Sequence, residues 1–184
     1  MTEYYLNLGC GLQHKQSIEN KTWVNLDNDL RTKPQVLRDV KRGLPFNTGI
    51  FSVVYASHFL EHFGGEDFVF IMNEIYRVLK PGGVLQLLSP YYKFHGAWVD
   101  PHHKMFFNEH SFEPYWYPSN SSIAMGVEGF YEPVSLQVAE EMEIRVTMKK
   151  IGWEQLKEYV DRIGKNNQPP QWENVVSKDF KEVT

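Results

Sequence analysis

The sequence predicts an α/β fold: a mostly parallel sheet with an antiparallel strand pair near its C-terminal end and few helices. Three observations carry this. Short apolar segments in the first half each run into a glycine, an acid or a small polar residue, as strands feeding loops do. One stretch, Phe68 to Leu79, has the three- and four-residue apolar spacing of a helix that crosses between two such strands. After Pro133 the apolar period becomes two.

Tyr4 to Leu8 reads as the first strand and leads into Gly9-Cys10-Gly11. Trp23 to Leu26 is the second and ends on Asp27, and Gln35 to Val40 contains the third, with Asp39 at its end. Leu12 to Thr22 shows no amphipathic period, so no helix is expected between the first two. Phe51 to Ala56, continuous, β-branched and aromatic, is a buried strand. Phe68, Ile71, Met72, Ile75, Val78 and Leu79 share one helix face; Glu66 and Asp67 suit the positive end of its dipole, and Lys80-Pro81-Gly82-Gly83 stop it. Val84 to Leu88 is the fifth strand. Val134, Leu136 and Val138, then Ile144, Val146 and Met148, alternate with polar residues as two antiparallel neighbours. Trp153, Leu156, Val160 and Ile163 mark a last helix, ended by Gly164, before a surface tail over 165–184. The expectation is one domain over 1–164, with 91–131 inserted as a lid.

Composition bounds the function. Hydrophobic residues at 42% and charged residues at 23% are ordinary for a globular chain. No apolar run approaches the roughly 20 residues of a membrane helix, and Met1 to Tyr4 lacks the flank of a signal peptide. A lone cysteine, Cys10, cannot form an internal disulfide, so a reducing cytoplasm is expected. A net charge of −4 weighs against nucleic acid as partner, since that needs a basic stripe. Twelve of the 27 aromatics fall between Tyr91 and Tyr131, with four of the seven histidines. There Lys93 and Lys104 face Asp100, Glu109, Glu113, Glu128 and Glu132, too acidic a setting for base-stacking aromatics.

Strand ends place the chemistry. Glycines at 9 and 11 permit a tight turn and a close ligand approach, and a carboxylate at 27 can accept hydrogen bonds from both hydroxyls of a ribose. A dinucleotide fits poorly. Its fingerprint needs a third glycine where His14 stands, and a helix to seat the pyrophosphate.

In order and spacing, five blocks over residues 4 to 90 resemble the class I S-adenosylmethionine-dependent methyltransferases of the small type. These are Leu6 to Gly11, Trp23 to Asp27, Asp39-Val40 with Leu44-Pro45-Phe46, Phe51 to His62, and Arg77 to Gly83. The resemblance implies a Rossmann-like sheet and S-adenosylmethionine as cofactor. It implies that Gly9, Cys10 and Gly11 pass the methionine part, that Asp27 and Asn28 hold the ribose, and that Asp39 and the Val40 backbone meet adenine. Ser57 and His58 would lie near the sulfonium. Two departures stand out: the family's usual acid in the first motif is Asn7, and the third glycine of the longer pattern is absent.

Methyl transfer needs alignment first and a base only for some acceptors. His58 is the candidate base or acceptor-orienting group, because an imidazole titrates near neutrality. Glu61 and His62 read as mainly structural. Asp100-Pro101-His102-His103 invites a metal reading, but adjacent histidines diverge and no HxxxH or CxxC spacing supports them, so no metal is expected. The aromatic segment is instead read as a substrate lid, with Tyr91, His102 and His103 as substrate contacts; alternatively Trp98, Phe106, Phe107 and Trp116 complete a thinned core. The expected function is methyl transfer to a small-molecule or sugar-like acceptor. The alternatives are an inactive cofactor-binding or interaction protein of the same fold and a nicotinamide-dependent oxidoreductase.

Overall fold

A computed structural model describes residues 2–166. Seven strands form one sheet in the order β3-β2-β1-β4-β5-β7-β6. They are β1 (Glu3–Leu8), β2 (Lys21–Asp27), β3 (Val36–Leu37), β4 (Phe51–Ser57), β5 (Leu79–Pro90), β6 (Tyr131–Ala139) and β7 (Glu143–Lys150). The first five are parallel, β7 runs antiparallel to β5, and β6 runs antiparallel to β7. The helices are α1 (Gly65–Val78), α2 (Gly96–Val99), α3 (Asn120–Ala124) and α4 (Trp153–Asn166). The order of strands is that of a Rossmann-like sheet closed by an antiparallel pair.

Side-chain alternation along the strands separates two cores. Leu6, Leu8, Val54, Ala56, Leu85 and Leu87 face α1, whose Phe68, Ile71, Met72, Ile75 and Val78 are all buried. Each such side chain contributes about 1.5–3 kcal/mol relative to exposure, so this face anchors the fold. On the other face Tyr5, Trp23, Val53, Tyr55 and Leu88 form a second cluster. Trp23 meets Tyr5 and Tyr55 edge to face, with centroids 5.1 and 6.5 Å away, and the Lys15 ammonium lies 4.3 Å from the Tyr55 ring centre. Aromatic rings and a lysine cover here what a crossover helix covers in a fuller fold.

The missing first helix has a local cause. Residues 12–20 run as a loop held by two buried amides. Asn7 Nδ2 donates to the Gln13 carbonyl (2.9 Å) and to Asn25 Oδ1 (2.8 Å), while Lys15 N donates to the same Oδ1 (2.9 Å). A carboxylate at residue 7 could donate to neither acceptor. The departure at Asn7 is therefore the fastening of the shortened loop.

Several bounds differ from the sequence reading. β3 is only two residues long, because the chain turns at once into a 3-10 helix, Val40–Arg42, capped by the Asp39 carboxylate. β5 begins at Leu79, with a register shift against β4 between Phe51 and Val53 that absorbs Pro81 and its glycines. α4 passes through Gly164 to Asn166. From residue 167 the expected tail lies outside the described residues. Among those described, no helix is long and apolar enough to cross a membrane.

The aromatic segment divides in two. Tyr91, Phe107, Phe112, Tyr115, Trp116 and Tyr131 are buried in the α1-side core. Trp98, 60% exposed, stacks on Phe106 at 3.9 Å on the outside.

Candidate functional site

The carboxyl ends of β1, β2 and β4 open into a cleft of about 760 Å³ lined by Gly9, Gly11, Asp27, Asn28, Asp29, Thr32, His58, Phe59, His62, Phe63, Pro101, His102 and Lys104. Such a crevice is where ligands bind on open α/β sheets.

Its floor is the turn after β1. Gly9 and Gly11 sit at φ +68° and +49°, a left-handed backbone that favours glycine. The Gly9 and Cys10 amides both donate to the Leu26 carbonyl, at 2.9 and 3.0 Å, which ties this turn to β2. Gly11 N then donates to Asp27 Oδ2 (2.8 Å) and Asp29 N to Oδ1 (2.9 Å). Asp27 is thus fixed with one lone pair on each oxygen engaged, and each oxygen keeps further acceptor capacity toward the cleft.

His58 follows β4 at φ +49° and lines the same cleft. A non-glycine residue there costs on the order of 1–3 kcal/mol and persists only where its surroundings hold it. Here the His58 amide donates to the Leu88 carbonyl (2.9 Å), and Nε2 lies 3.0 Å from Glu143 Oε2. Nδ1 lies 3.6 Å from Glu61 Oε1. Glu143 first, then Glu61, raises the imidazole pKa to about 9, against a smaller opposing effect of burial. A ring already protonated at neutral pH does not accept a proton, so its surroundings suit the orienting role better than the base.

Six of the expected residues line this cleft: Gly9, Gly11, Asp27, Asn28, His58 and His102. Cys10 does not; its thiol is buried, and burial ahead of the Asp27 charge raises its pKa to about 11. Ser57 ends β4 and is not among the residues that line the cleft. Asp39 accepts from Lys41 N (3.0 Å) at its cap position, and Val40 is buried in the core, so neither lines the cleft. Tyr91 is also buried, its phenol donating to Glu109 (2.7 Å). His102 and His103 do diverge: His102 turns to Asp100 (2.9 Å), and His103 turns inward onto the Ala97 carbonyl (2.9 Å).

The sequence reading missed Phe59, Phe63, Asp29, Thr32 and Lys104 as lining residues, and it placed His62 among the structural ones. Phe59 and His62 follow the same strand end as His58, a signal that was available. Lys104 was not legible. Its amide and that of Met105 donate to the Glu61 carbonyl, at 2.7 and 3.0 Å, and this long-range pairing brings the distant loop to the cleft.

Residues 6–87 match the family model described as a methyltransferase domain. No curated protein sequence matches the chain. Among solved structures, the sheet is similar to the complex between the Haloferax volcanii Trm112 methyltransferase activator and a methyltransferase, with TM-score 0.58, 11% identity, and 82% of this chain and 83% of that one covered. It is similar to a SAM-dependent methyltransferase from Aquifex aeolicus, with TM-score 0.53, 15% identity, and 82% and 84% covered. It is also similar to the [4+2]-cyclase SpnF, with TM-score 0.57, 15% identity, and 82% and 76% covered. At such identities these likenesses show the fold. The methyltransferase-domain match over residues 6–87 and the shared Rossmann-like fold support a class I S-adenosylmethionine-dependent methyltransferase, for which S-adenosylmethionine is the implied cofactor.

Proposed function

We propose that the chain transfers a methyl group from S-adenosylmethionine to a small-molecule or sugar-like acceptor bound in this cleft. The observation that carries the proposal is that Gly9, Gly11, Asp27 and His58, from three neighbouring strand ends, line one cleft. The residues fit the cofactor. Asp27, pre-oriented by two backbone amides, has oxygen lone pairs left for two ribose hydroxyls, and Asn28 stands beside it. The glycine turn and Cys10 would run along the methionine part. Asp39 and Val40 follow the neighbouring strand β3 outside the lined cleft, so they would meet adenine only where the cofactor extends past its edge.

When bound, the cofactor supplies a sulfonium-activated methyl carbon. The protein's share is position. Alignment of two reactants can supply about 7–11 kcal/mol of a barrier. His58, with Ser57 before it, orients the acceptor: Glu143 and the backbone bond to Leu88 hold its ring at the cleft wall. Pro101, His102 and Lys104 border the same opening, so the exposed half of the 91–131 segment would act as the lid over the acceptor, with His102 in contact and His103 and Tyr91 behind it. The test is thermal: S-adenosylhomocysteine should raise the melting temperature, and an unchanged melt at millimolar ligand counts against the reading. Transfer of labelled methyl to an acceptor panel then identifies the substrate class.

A further inference from the structure

We infer that Glu61, His62 and His103 form a binding site for one divalent transition-metal ion at the inner edge of the cleft. One donor atom from each residue lies within 4.8 Å of the others. Bonds of about 2.0–2.2 Å put donors around one ion at most about 4.4 Å apart, so a contraction of a few tenths of an ångström completes the site.

Three features set this cluster apart from a chance meeting of side chains. Glu61 is 1% exposed; Ser89 Oγ donates to its Oε2 (3.0 Å), but Oε1 has no hydrogen-bond partner. The nearest cationic group to that oxygen, His58 Nδ1, stands off at 3.6 Å. That ion pair is too long to be a hydrogen bond, so a buried carboxylate oxygen keeps an unfilled acceptor position that a metal ion would take up. Second, His103 Nδ1 faces the Ala97 carbonyl, which can only accept, so Nδ1 carries the proton and Nε2 presents its lone pair. This outer partner fixes tautomer and ring orientation as in metal-ligating histidines. Third, the amides of Lys104 and Met105 on the Glu61 carbonyl pin the two contributing segments together before any ion arrives. The His62 and His103 rings then stand 4.9 Å apart.

Two imidazoles and one carboxylate select a zinc-like or iron(II)-like ion over calcium or magnesium, which prefer all-oxygen sets. Three protein ligands leave a coordination position open. His62 lines the cleft, so that position faces the acceptor side and would take an acceptor oxygen. This last step rests on the methyl-transfer reading; ion binding does not.

The experiment is titration of the chelator-stripped full chain with zinc chloride by calorimetry, and with cobalt(II) by visible absorption. One ion per chain is expected. His62→Ala and His103→Ala should each weaken binding by more than the roughly 10–100-fold that loss of an outer partner costs, and Glu61→Gln should weaken it without losing the Ser89 contact. His110→Ala, which removes a histidine paired with Glu113 elsewhere, should change nothing. Circular dichroism melts confirm that the variants are folded. Failure to take up one ion, or uptake unchanged in both histidine variants, overturns the site. The S-adenosylhomocysteine melt shift of the stripped protein is read separately, so the methyl-transfer reading stands or falls on its own.

Discussion

The Phe59 ring occupies the space that any side chain at Gly9 would need: a Cβ built on Gly9 falls 2.0 Å from Phe59 Cδ2. The first glycine of the turn after β1 and the residue after His58 are thus fitted to each other at two neighbouring strand ends. Gly9→Ala combines that clash with a φ of +68° and should cost more than about 1 kcal/mol in urea unfolding. Phe59→Ala should relieve part of it, so the double variant should be more stable than the sum of the two single losses.

Asn7→Asp restores the acid usual in the family yet should destabilise this chain. The new oxygen would face the Gln13 carbonyl and Asn25 Oδ1 in a buried position, with no donor between them. A loss of about 2 kcal/mol or more at pH 7 is expected from chemical denaturation. Equal stability would mean that the loop 12–15 is held by other contacts.

Asp27→Ala removes the acceptor of both the Gly11 and Asp29 amides. Affinity for S-adenosylhomocysteine, measured by calorimetry, should fall by a few kcal/mol at most, about 10–100-fold. An unchanged affinity would remove Asp27 from the ribose site.

His58→Ala should lower turnover more than cofactor affinity, and equal losses would contradict an acceptor-side role. His58→Gly loses the same ring but accepts φ +49° without strain, so it should be more stable than His58→Ala by about 1 kcal/mol with the same kinetic defect.

Glu74 ties two of the family blocks together. It accepts from Leu44 N (2.6 Å) and from Arg77 (2.6 and 2.8 Å), and Arg77 reaches on to the Leu44 and Phe46 carbonyls. Arg77 foremost holds its carboxyl below the usual value, against the opposing effect of burial. A depressed carboxylate contributes stability that is present above its unfolded pKa of about 4.3 and is lost as pH falls through the folded value. Glu74→Gln should therefore cost about 1–2 kcal/mol at pH 7 and progressively less toward pH 3, by urea unfolding across that range.

Much of the scaffold was legible because periodicity is a local property. The apolar face of α1 and the alternation in β6 and β7 follow from spacing alone, as does the missing helix between β1 and β2. The turn at Gly9 and Gly11 and the acid at Asp27 were equally readable, since strand ends and glycines mark themselves. Asp39 and Val40 show the limit. Their place after an apolar segment was visible, but a strand cut to two residues turned the carboxylate into a helix cap.

The sequence by itself determined the succession of strands along the chain, the residue types at their carboxyl ends and the family those blocks resemble. Tertiary structure alone decided that His58 stands between Glu143 and Glu61, and that His103 turns from His102 to meet Glu61 and His62. The physical reason is range. Strand and helix patterns are set by neighbours a few residues away, whereas these meetings depend on β7 folding back beside β5 and on two amides of a distant loop closing on the Glu61 carbonyl.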